Sequence, residues 1–350
     1  MSVQVSVVIP TYCRRELLLR CVAALMQQDF DPHGFEIIVA DDESSDETRQ
    51  ALAPWFAQSG PHIRYLAVGR RRGPAATRNA GWRAAAGEIV AFTDDDCIPQ
   101  PKWLGAGVAA IESGADAAWG RLEMPLSASP TDYELDAAGL AKAVFVTANC
   151  FCRRAALERV GGFDERFAVA WREDSDLYFS LLEQNCRVVH APAALVVHPI
   201  RPARWGVSLK QQSKSRFDVL LLKKHPRLYA RFIPPLPRLY YVAVASGAAA
   251  LAGAASGWMA LAWPGALVWS GATLLFCGRR LRGTSKAPAH VLEMAVTSAL
   301  IPPLSLYWRA RGLWKYRTLS GAGRSRIQRS APASPHEFAS PIGSWEHETT

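Results

Sequence analysis

The sequence predicts an α/β domain built on a parallel β-sheet, followed by a pair of apolar helices that cross a membrane. Two observations predict this architecture. Short apolar strands alternate with helices over residues 3–113, and strands separated by helices pair in parallel through right-handed crossovers. Residues 239–278 then form a run of 40 positions without a charged side chain, whereas one membrane-spanning helix needs about 20 apolar residues.

The regular part of the chain contains four strands and four helices. The strands are predicted at 3–9, 35–40, 62–68 and 88–93, and the helices at 14–28, 46–57, 74–86 and 101–113. The strands are apolar along most of their length, which is typical of a sheet covered by helices on both faces.

The pattern becomes less regular after residue 115. A strand is predicted at 115–120, a loop at 126–136, helices at 155–160 and 174–184, short strands at 187–191 and 195–199, and a basic amphipathic helix at 205–224. We therefore expect a first domain over residues 1–225, a membrane-associated region over 226–317, and a disordered tail over 318–350 that is rich in Ser, Pro and Gly.

The charge is distributed unevenly along the chain. The formal net charge is +9, yet residues 1–200 carry 19 Lys and Arg against 26 Asp and Glu. Residues 201–329 carry 21 basic residues against 2 acidic ones. An acidic body joined to a basic, apolar segment indicates membrane lipids as a partner and argues against nucleic acid.

The uncharged run predicts a helical hairpin, with helices at about 239–261 and 264–278 and a turn at Trp263-Pro264-Gly265. A buried helix pair in a soluble protein is the alternative. Basic residues follow the run at 279–286, and basic residues favour the cytoplasmic side of a membrane. We expect a multi-pass protein of the cell inner membrane with its α/β domain in the cytoplasm.

A third apolar stretch, over residues 290–308, contains Pro302-Pro303 and precedes four further basic residues. A spanning helix would carry those charges to the outer side of the membrane, so an interfacial or re-entrant segment is expected. The seven cysteines are scattered without paired spacing, which predicts reduced thiols. The first ten residues lack the features of a signal peptide. Both observations favour a cytoplasmic α/β domain.

Polar residues follow three of the predicted parallel strands. The first strand ends in Pro10-Thr11-Tyr12, the second in Asp41-Asp42, and the fourth in Asp94-Asp95-Asp96. An acidic residue at one strand end is often only a turn or capping residue. Ligands of parallel sheets, however, bind outside the carboxyl ends of the strands, and the convergence of these residues predicts a binding site there.

Three adjacent aspartates repel one another unless a cation or a hydrogen-bond donor compensates for their charge. Mg²⁺ or Mn²⁺ provides this compensation, because these ions bind one or two carboxylates and complete their coordination with substrate phosphates and water. The sequence therefore predicts a divalent metal ion that holds a diphosphate group.

The segments VVIPTY, VADDESSDET, GPAATRNAG and FTDDDCIP resemble the inverting family 2 glycosyltransferases, which have a GT-A fold. The resemblance covers residues 3–200. It implies a Rossmann-like nucleotide-diphospho-sugar transferase domain, a nucleotide-sugar donor and a Mg²⁺ or Mn²⁺ cofactor.

The resemblance also implies roles for individual residues. The donor-binding residues would be Pro10, Thr11, Tyr12, Arg14, Asp41, Asp42, Arg78, Asp94 and Asp95. The DxD element that holds the metal ion corresponds to Asp94 and Asp96, and His198 falls where some relatives place a third metal ligand. A buried structural role is the alternative for His198.

A late acidic motif of the family corresponds to Glu173-Asp174 in the segment AWREDSDLYF. The resemblance makes Asp174 the catalytic base, which accepts a proton from the acceptor hydroxyl as that oxygen attacks the anomeric carbon. An acid at the start of a helix also has a purely structural explanation in the helix dipole.

The expected function is transfer of a sugar, with inversion, from a nucleotide-diphosphate donor such as a UDP-sugar to a hydroxyl of a lipid-linked or glycan acceptor. The chain lacks a clear QxxRW-type motif, which argues against a processive polysaccharide synthase. Two alternatives are a polyprenyl-phosphate sugar synthase and a catalytically silent membrane adaptor with the same fold.

Overall fold

The computed structural model of the protein describes residues 3–56, 58, 60–69 and 71–319. The chain forms two compact units. The first consists of residues up to Pro125 together with Leu140–Pro199, and the second consists of Leu126–Gly139 and the residues from Ile200 onward. The second unit thus includes residues 200–225 and the segment 126–139, both of which were expected in the first domain.

The first unit contains one mixed sheet and the helices that cover it. Its strands are β1 (Val5–Thr11), β2 (Phe35–Asp41), β3 (His62–Ala67), β4 (Ile89–Thr93), β5 (Ile98–Pro99), β6 (Ala117–Glu123), β7 (Asn149–Arg153) and β8 (Val188–Val197). Its helices are α1 (Arg15–Leu25), α2 (Asp46–Phe56), α3 (Pro74–Ala84), α4 (Trp103–Glu112), α6 (Arg154–Val160) and α7 (Glu173–Glu183).

The predicted parallel strands form one side of the sheet. The strand order is β3-β2-β1-β4-β7-β6-β8-β5, and β1 pairs in parallel with both β2 and β4. Every residue of β2 and β4 is buried. These strands are covered on both faces, which explains their nearly continuous apolar sequence.

The other side of the sheet is antiparallel in part, which the strand–helix alternation did not predict. β7 pairs antiparallel with β4 and with β6, and the two short strands predicted at 187–191 and 195–199 form the single strand β8. β7 is short, and its residues Cys150, Phe151 and Cys152 are buried. Gly107 of α4 lies directly against the Phe151 ring, where a Cβ atom would overlap it.

The second unit is helical. Its helices are α5 (Asp132–Ala138), α8 (Val207–Gln211), α9 (Ser215–Lys224), α10 (Pro226–Phe232), α11 (Arg238–Ala255), α12 (Met259–Arg280) and α13 (Pro288–Lys315). The basic helix predicted at 205–224 is divided by a 3₁₀ turn at Gln212–Lys214. Among the described residues, α11, α12 and α13 are long and apolar enough to cross a membrane.

The hairpin of α11 and α12 turns earlier than predicted. α11 ends at Ala255 and α12 begins at Met259, and Pro264 lies inside α12. Gly257 adopts a φ of 75° in the turn, a left-handed conformation that glycine enters without a steric penalty. Gly265 packs against the backbone of Ala250, where a Cβ atom would lie 2.7 Å from the Ala250 nitrogen. Gly265 therefore allows α11 and α12 to pack closely and is not part of the turn.

α13 is held by polar contacts within the second unit. Arg280, at the end of α12, donates from Nη1 to the hydroxyl of Thr297 at 2.6 Å and pairs with Asp132 of α5. Further along α13, Gly312 packs against the Arg216 backbone of α9. The predicted disordered tail over 318–350 lies outside the described residues from residue 320 onward.

Candidate active site

Three strand ends meet at one edge of the sheet in the first unit, as the parallel topology requires. Thr11, the last residue of β1, is aligned with Asp41, the last residue of β2. The backbone N–H of Asp42 donates to the Thr11 carbonyl at 2.9 Å. β4 ends at Thr93 beside β1, so the aspartates that follow β4 emerge at the same edge.

The three aspartates after β4 have three different sets of partners. Asp94 Oδ1 accepts a hydrogen bond from Arg78 Nη2 at 2.6 Å. Asp95 accepts from Thr11 Oγ1 at 2.9 Å and from Arg14 Nη1 at 3.1 Å. Asp96 Oδ1 lies 3.5 Å from His198 Nε2. The mutual repulsion of the carboxylates is therefore offset by separate cationic or hydrogen-bonding groups.

The pKa values of the first two aspartates shift in opposite directions. Burial opposes ionisation of Asp94, but Arg78 and His198 outweigh it and hold the pKa of this carboxyl below its ordinary value. Burial raises the pKa of Asp95 to about 6, against the opposing effect of Arg14 and with a smaller contribution from Asp96. Asp94 is thus the more readily ionised of the two.

Asp96 and His198 meet because of an antiparallel pairing. β5 and β8 pair with Ile98 opposite Val197, which places the residues before Ile98 next to the residue after Val197. Ligand atoms of Asp96, Cys97 and His198 all lie within 4.8 Å of one another. Asp94, predicted as a metal ligand, lies outside this group in the described part of the chain.

The chemistry of this group fits a divalent metal ion. A carboxylate oxygen and an imidazole nitrogen are suitable ligands for Mn²⁺, and carboxylates suit Mg²⁺. Among the described residues, the buried Nδ1 of His198 has no hydrogen-bond partner, whereas its Nε2 faces Asp96. Burial raises the pKa of the Cys97 thiol well above its ordinary value, which makes it the poorest ligand of the three.

The predicted nucleoside-binding aspartates organise the loops around them. Asp41 accepts hydrogen bonds from the backbone of Glu43 and Ser45 and from the Tyr65 hydroxyl at 2.8 Å. Asp42 accepts from the backbone N–H groups of Arg72 at 2.7 Å and Gly73 at 2.9 Å. Both carboxylates are buried, and they shape the loops that border the strand ends.

The remaining predicted donor-binding residues line the same edge. Pro10 lies in β1 opposite Ala40. Tyr12 is 36% exposed, and its hydroxyl accepts a hydrogen bond from Arg71 Nε at 2.8 Å. An exposed aromatic ring beside the strand ends is available to stack against a base.

Arg78 is buried and faces two acids. Its side chain is 3% exposed, and Nη1 lies 3.2 Å from Glu173 Oε1 in addition to the contact between Nη2 and Asp94. The sequence motif placed Arg78 near the nucleotide but did not reveal its link to Glu173. This contact joins α3 to α7, two elements far apart in sequence, so no local pattern signals it.

Glu173 and Asp174 begin α7, after Arg172 in a left-handed conformation with a φ of 72°. Burial, with a smaller contribution from Asp174, raises the pKa of Glu173 to about 7. Burial also raises the pKa of Asp174, although the Ser175 backbone N–H donates to its Oδ1 at 2.6 Å. Asp174 is less buried than Glu173. A partly accessible carboxylate with a raised pKa is suited to accept a proton.

Two family models match the chain. The model described as "Glycosyl transferase family 2" matches residues 6–161, and the model described as "Glycosyl transferase family group 2" matches residues 131–310, which is half of the chain. The first match contains the strand ends and the aspartate cluster, and the second contains Glu173, Asp174 and His198.

Curated relatives show the same similarity. Glycosyltransferase AglE of Haloferax volcanii is 29% identical over 238 residues, covering 63% of this chain and 75% of the relative. Validoxylamine A glucosyltransferase of Streptomyces hygroscopicus subsp. limoneus is 26% identical over 292 residues, covering 69% of this chain and 60% of the relative. The GalNAc(5)-diNAcBac-PP-undecaprenol beta-1,3-glucosyltransferase of Campylobacter jejuni is 37% identical over 94 residues, covering 27% of this chain and 29% of the relative. The chain thus spans less than two thirds of the latter two relatives.

A solved structure shares the fold. Mannosyltransferase PcManGT from Pyrobaculum calidifontis, in complex with GDP-Man and Mn²⁺, superposes with a TM-score of 0.52 at 18% sequence identity, over 90% of this chain and 88% of that one. This similarity supports the predicted GT-A domain with its mixed, Rossmann-like sheet.

Proposed function

The chain belongs to glycosyl transferase family 2, and we propose that it transfers a sugar from a nucleotide-diphosphate donor to a hydroxyl group of a lipid-linked or glycan acceptor, with inversion. The observation that carries this proposal is the shared edge of the sheet. The Asp96–His198 pair offers metal ligands, the exposed Tyr12 offers a ring for stacking, and the partly exposed Asp174 follows Glu173, which Arg78 links to Asp94.

Asp96 and His198 would hold the metal ion, with Asp94 two residues before Asp96 in sequence. The unpartnered Nδ1 of His198 and the contact of 3.5 Å between Nε2 and Asp96 support this assignment. A bound Mg²⁺ or Mn²⁺ supplies Lewis-acid stabilisation of the departing diphosphate.

The remaining roles are assigned to side chains at the same edge. Tyr12 stacks against the nucleoside base, and Thr11 and Arg14 hold the buried side chain of Asp95, the aspartate assigned to the ribose. Asp174 accepts the proton of the attacking hydroxyl, because a neutral hydroxyl is a poor nucleophile. Attack from the face opposite the diphosphate inverts the anomeric centre. We propose a UDP-sugar as the donor to test first.

The helical unit is proposed to anchor the chain in the cell inner membrane, with the catalytic domain in the cytoplasm. Basic residues lie where α11 begins and where α12 ends, namely Arg238, Arg279, Arg282 and Lys286, and all four are exposed. Trp258 and Trp263, near the turn of the hairpin, are 62% and 74% exposed. Basic residues at one end and tryptophans at the other fit a hairpin whose two ends face the cytoplasmic and the outer interface.

α13 is proposed to lie in the cytoplasmic membrane interface. Its buried face contains the polar residues His290, Thr297, Ser298 and Ser305 together with Met294 and Ile301, whereas its exposed face carries Leu292, Val296, Leu300, Tyr307 and Trp314. Its far end packs on the basic helix α9, where Arg309 pairs with Asp218 at 3.6 Å. A helix with apolar residues facing outward and a basic end is typical of an interfacial segment.

The experiment that tests the transfer is a donor screen. The full chain, purified in detergent, is incubated with a panel of nucleotide sugars, Mn²⁺ and a lipid-linked acceptor, and released nucleoside diphosphate is measured. We expect release with one class of donor and its loss with EDTA. Absence of release with every donor would contradict the assignment and favour a catalytically silent adaptor.

The same assay separates the hydroxyl acceptor from a polyprenyl-phosphate acceptor. A phosphate nucleophile is already ionised at neutral pH and requires little help from a base. Transfer to polyprenyl phosphate that is unaffected by Asp174→Asn would therefore identify a polyprenyl-phosphate sugar synthase instead.

A further inference from the structure

We propose that Arg78 is a positioning residue of the transfer reaction, which fixes the first turn of α7, and therefore Asp174, against the aspartate cluster at the end of β4. The proposal rests on the proposed function, because it assigns Asp174 as the base. It differs from the nucleotide contact that the family resemblance implies for Arg78.

Arg78 connects three separate parts of the first unit. The side chain starts from α3. Its Nη2 lies 2.6 Å from Asp94 Oδ1 in the turn after β4, and its Nη1 lies 3.2 Å from Glu173 Oε1 at the first residue of α7. One guanidinium group therefore sets the distance between the aspartate cluster and the start of the helix that carries Asp174.

The buried charges make the contacts of Arg78 with Asp94 and Glu173 difficult to replace. Glu173 is 5% exposed and Arg78 3% exposed, and a buried carboxylate without a cation is strongly destabilising. Only a planar guanidinium presents two nitrogens in a rigid fork to two different carboxylates. A lysine at this position would carry the same charge but would satisfy Asp94 and Glu173 less well.

The surroundings of Arg78 favour one orientation of its side chain. Its guanidinium carbon lies 5.8 Å from the centre of the Phe163 ring, and Phe163 packs edge-to-face on Phe92 of β4 at 5.3 Å. A cation over an aromatic face is attracted by the ring. Because the side chain is buried and both Nη atoms are engaged, it is poorly placed to reach a phosphate group of the donor.

The start of α7 depends on this contact. The residue before the helix, Arg172, has a φ of 72°, a conformation that is unfavourable for a residue with a side chain and is retained only where the surrounding structure enforces it. The buried Glu173 side chain provides such an anchor through Arg78. Since Asp174 follows directly in sequence, displacement of Glu173 displaces the base.

The test uses the full chain in detergent with the variants Arg78→Lys and Glu173→Ala. Arg83→Lys is the matched control, because Arg83 lies on the same helix and pairs at 3.6 Å with Glu165 near the surface. Two quantities are measured: amide hydrogen exchange of a peptide spanning residues 169–179, and kcat and KM for the donor.

We expect Arg78→Lys to accelerate exchange in the first turn of α7 about tenfold or more. We also expect kcat to fall about 10- to 100-fold while the donor KM changes less than about threefold, because misplacement of a reacting group lowers the rate of the chemical step. Arg83→Lys should change neither quantity. Should Arg78→Lys fail to fold, Glu173→Ala, which removes the side chain that Arg78 contacts at the start of α7, should still accelerate exchange.

A large rise in donor KM with unchanged exchange and kcat would overturn the proposal and return Arg78 to a donor-binding role. Unchanged exchange in both variants would also overturn it. The exchange measurement requires no turnover, so it decides the role of Arg78 even where the wild-type chain transfers no sugar and the proposed function fails.

Discussion

His198 Nε2 lies 3.5 Å from Asp96 Oδ1, and the two residues are brought together by the pairing of Ile98 with Val197. This contact joins the end of β8 to the aspartate cluster after β4. It combines an oxygen and a nitrogen ligand beside the strand ends at which family resemblance places the donor. We propose that this pair holds the metal ion of the reaction.

The first prediction concerns metal affinity. Asp96→Asn removes a charged ligand and should raise the Kd for Mn²⁺ at least about tenfold, since even loss of a group that only supports a ligand costs about 10- to 100-fold. Isothermal titration calorimetry of the full chain in detergent measures this value. The control Asp29→Asn replaces an exposed aspartate and should leave the Kd unchanged. Equal Mn²⁺ affinity in both variants would exclude Asp96 as a ligand.

The second prediction concerns pH. The pKa of Glu173 in the folded protein is about 7, against an ordinary value of 4.5. Between these values the folded protein keeps a proton that the unfolded chain has released, so the stability associated with Glu173 falls as the pH rises. Glu173→Gln cannot ionise and escapes this loss, which amounts to about 1–3 kcal/mol.

Thermal unfolding of wild type and Glu173→Gln at pH 5 and pH 8 measures the effect. The Tm of the variant relative to wild type should be higher at pH 8 than at pH 5. A difference in Tm that is the same at both pH values would show that Glu173 does not titrate in this range.

The third prediction concerns the loop before α3. The Asp42 carboxylate accepts hydrogen bonds from the backbone N–H groups of Arg72 and Gly73. Asp42→Ala leaves both without this acceptor and should lower the free energy of unfolding by about 1–3 kcal/mol. Denaturant unfolding of the full chain measures the change, with Asp29→Ala as the surface control. An effect no larger than that of the control would contradict the structural role of Asp42.

The fourth prediction concerns topology. If α13 lies in the cytoplasmic interface, a cysteine introduced by Thr318→Cys should react with an impermeant maleimide only after the cells are permeabilised. Ser256→Cys, at the turn of the hairpin, should react in intact cells. Labelling of both positions in intact cells would show that α13 crosses the membrane.

Local sequence patterns predicted the parallel half of the sheet well. β1 to β4 and their helices follow the alternation of apolar strands and amphipathic segments. β7 was missed because an antiparallel strand inserted between parallel ones has no separate local signal. The hairpin was predicted, but the turn was placed at Trp263-Pro264-Gly265 rather than at the Ser256–Trp258 segment. Pro264 is accommodated inside α12, and Gly257 makes the turn.

For the candidate site, the sequence predicted the position of several residues but not their tertiary contacts. The position of Thr11, Asp41 and Asp94–Asp96 at one edge was predicted because strand ends in a parallel sheet converge whatever the details of packing, whereas their roles stay predictions. The contacts of Arg78 with Glu173 and of Asp96 with His198 depend on tertiary packing. Their sequence separation is large, and neither the partner nor the burial of such a group follows from local pattern.

The central claim is that Asp174 is the base of a sugar transfer at this edge of the sheet. The most direct measurement compares Asp174→Asn with wild type for both transfer rate and donor affinity. Glu183→Gln, at the other end of α7, is the control. We predict that kcat for Asp174→Asn falls about 10²- to 10⁴-fold, as expected for loss of a general base, while donor affinity is retained. Near-normal transfer to a hydroxyl acceptor by Asp174→Asn would contradict the account.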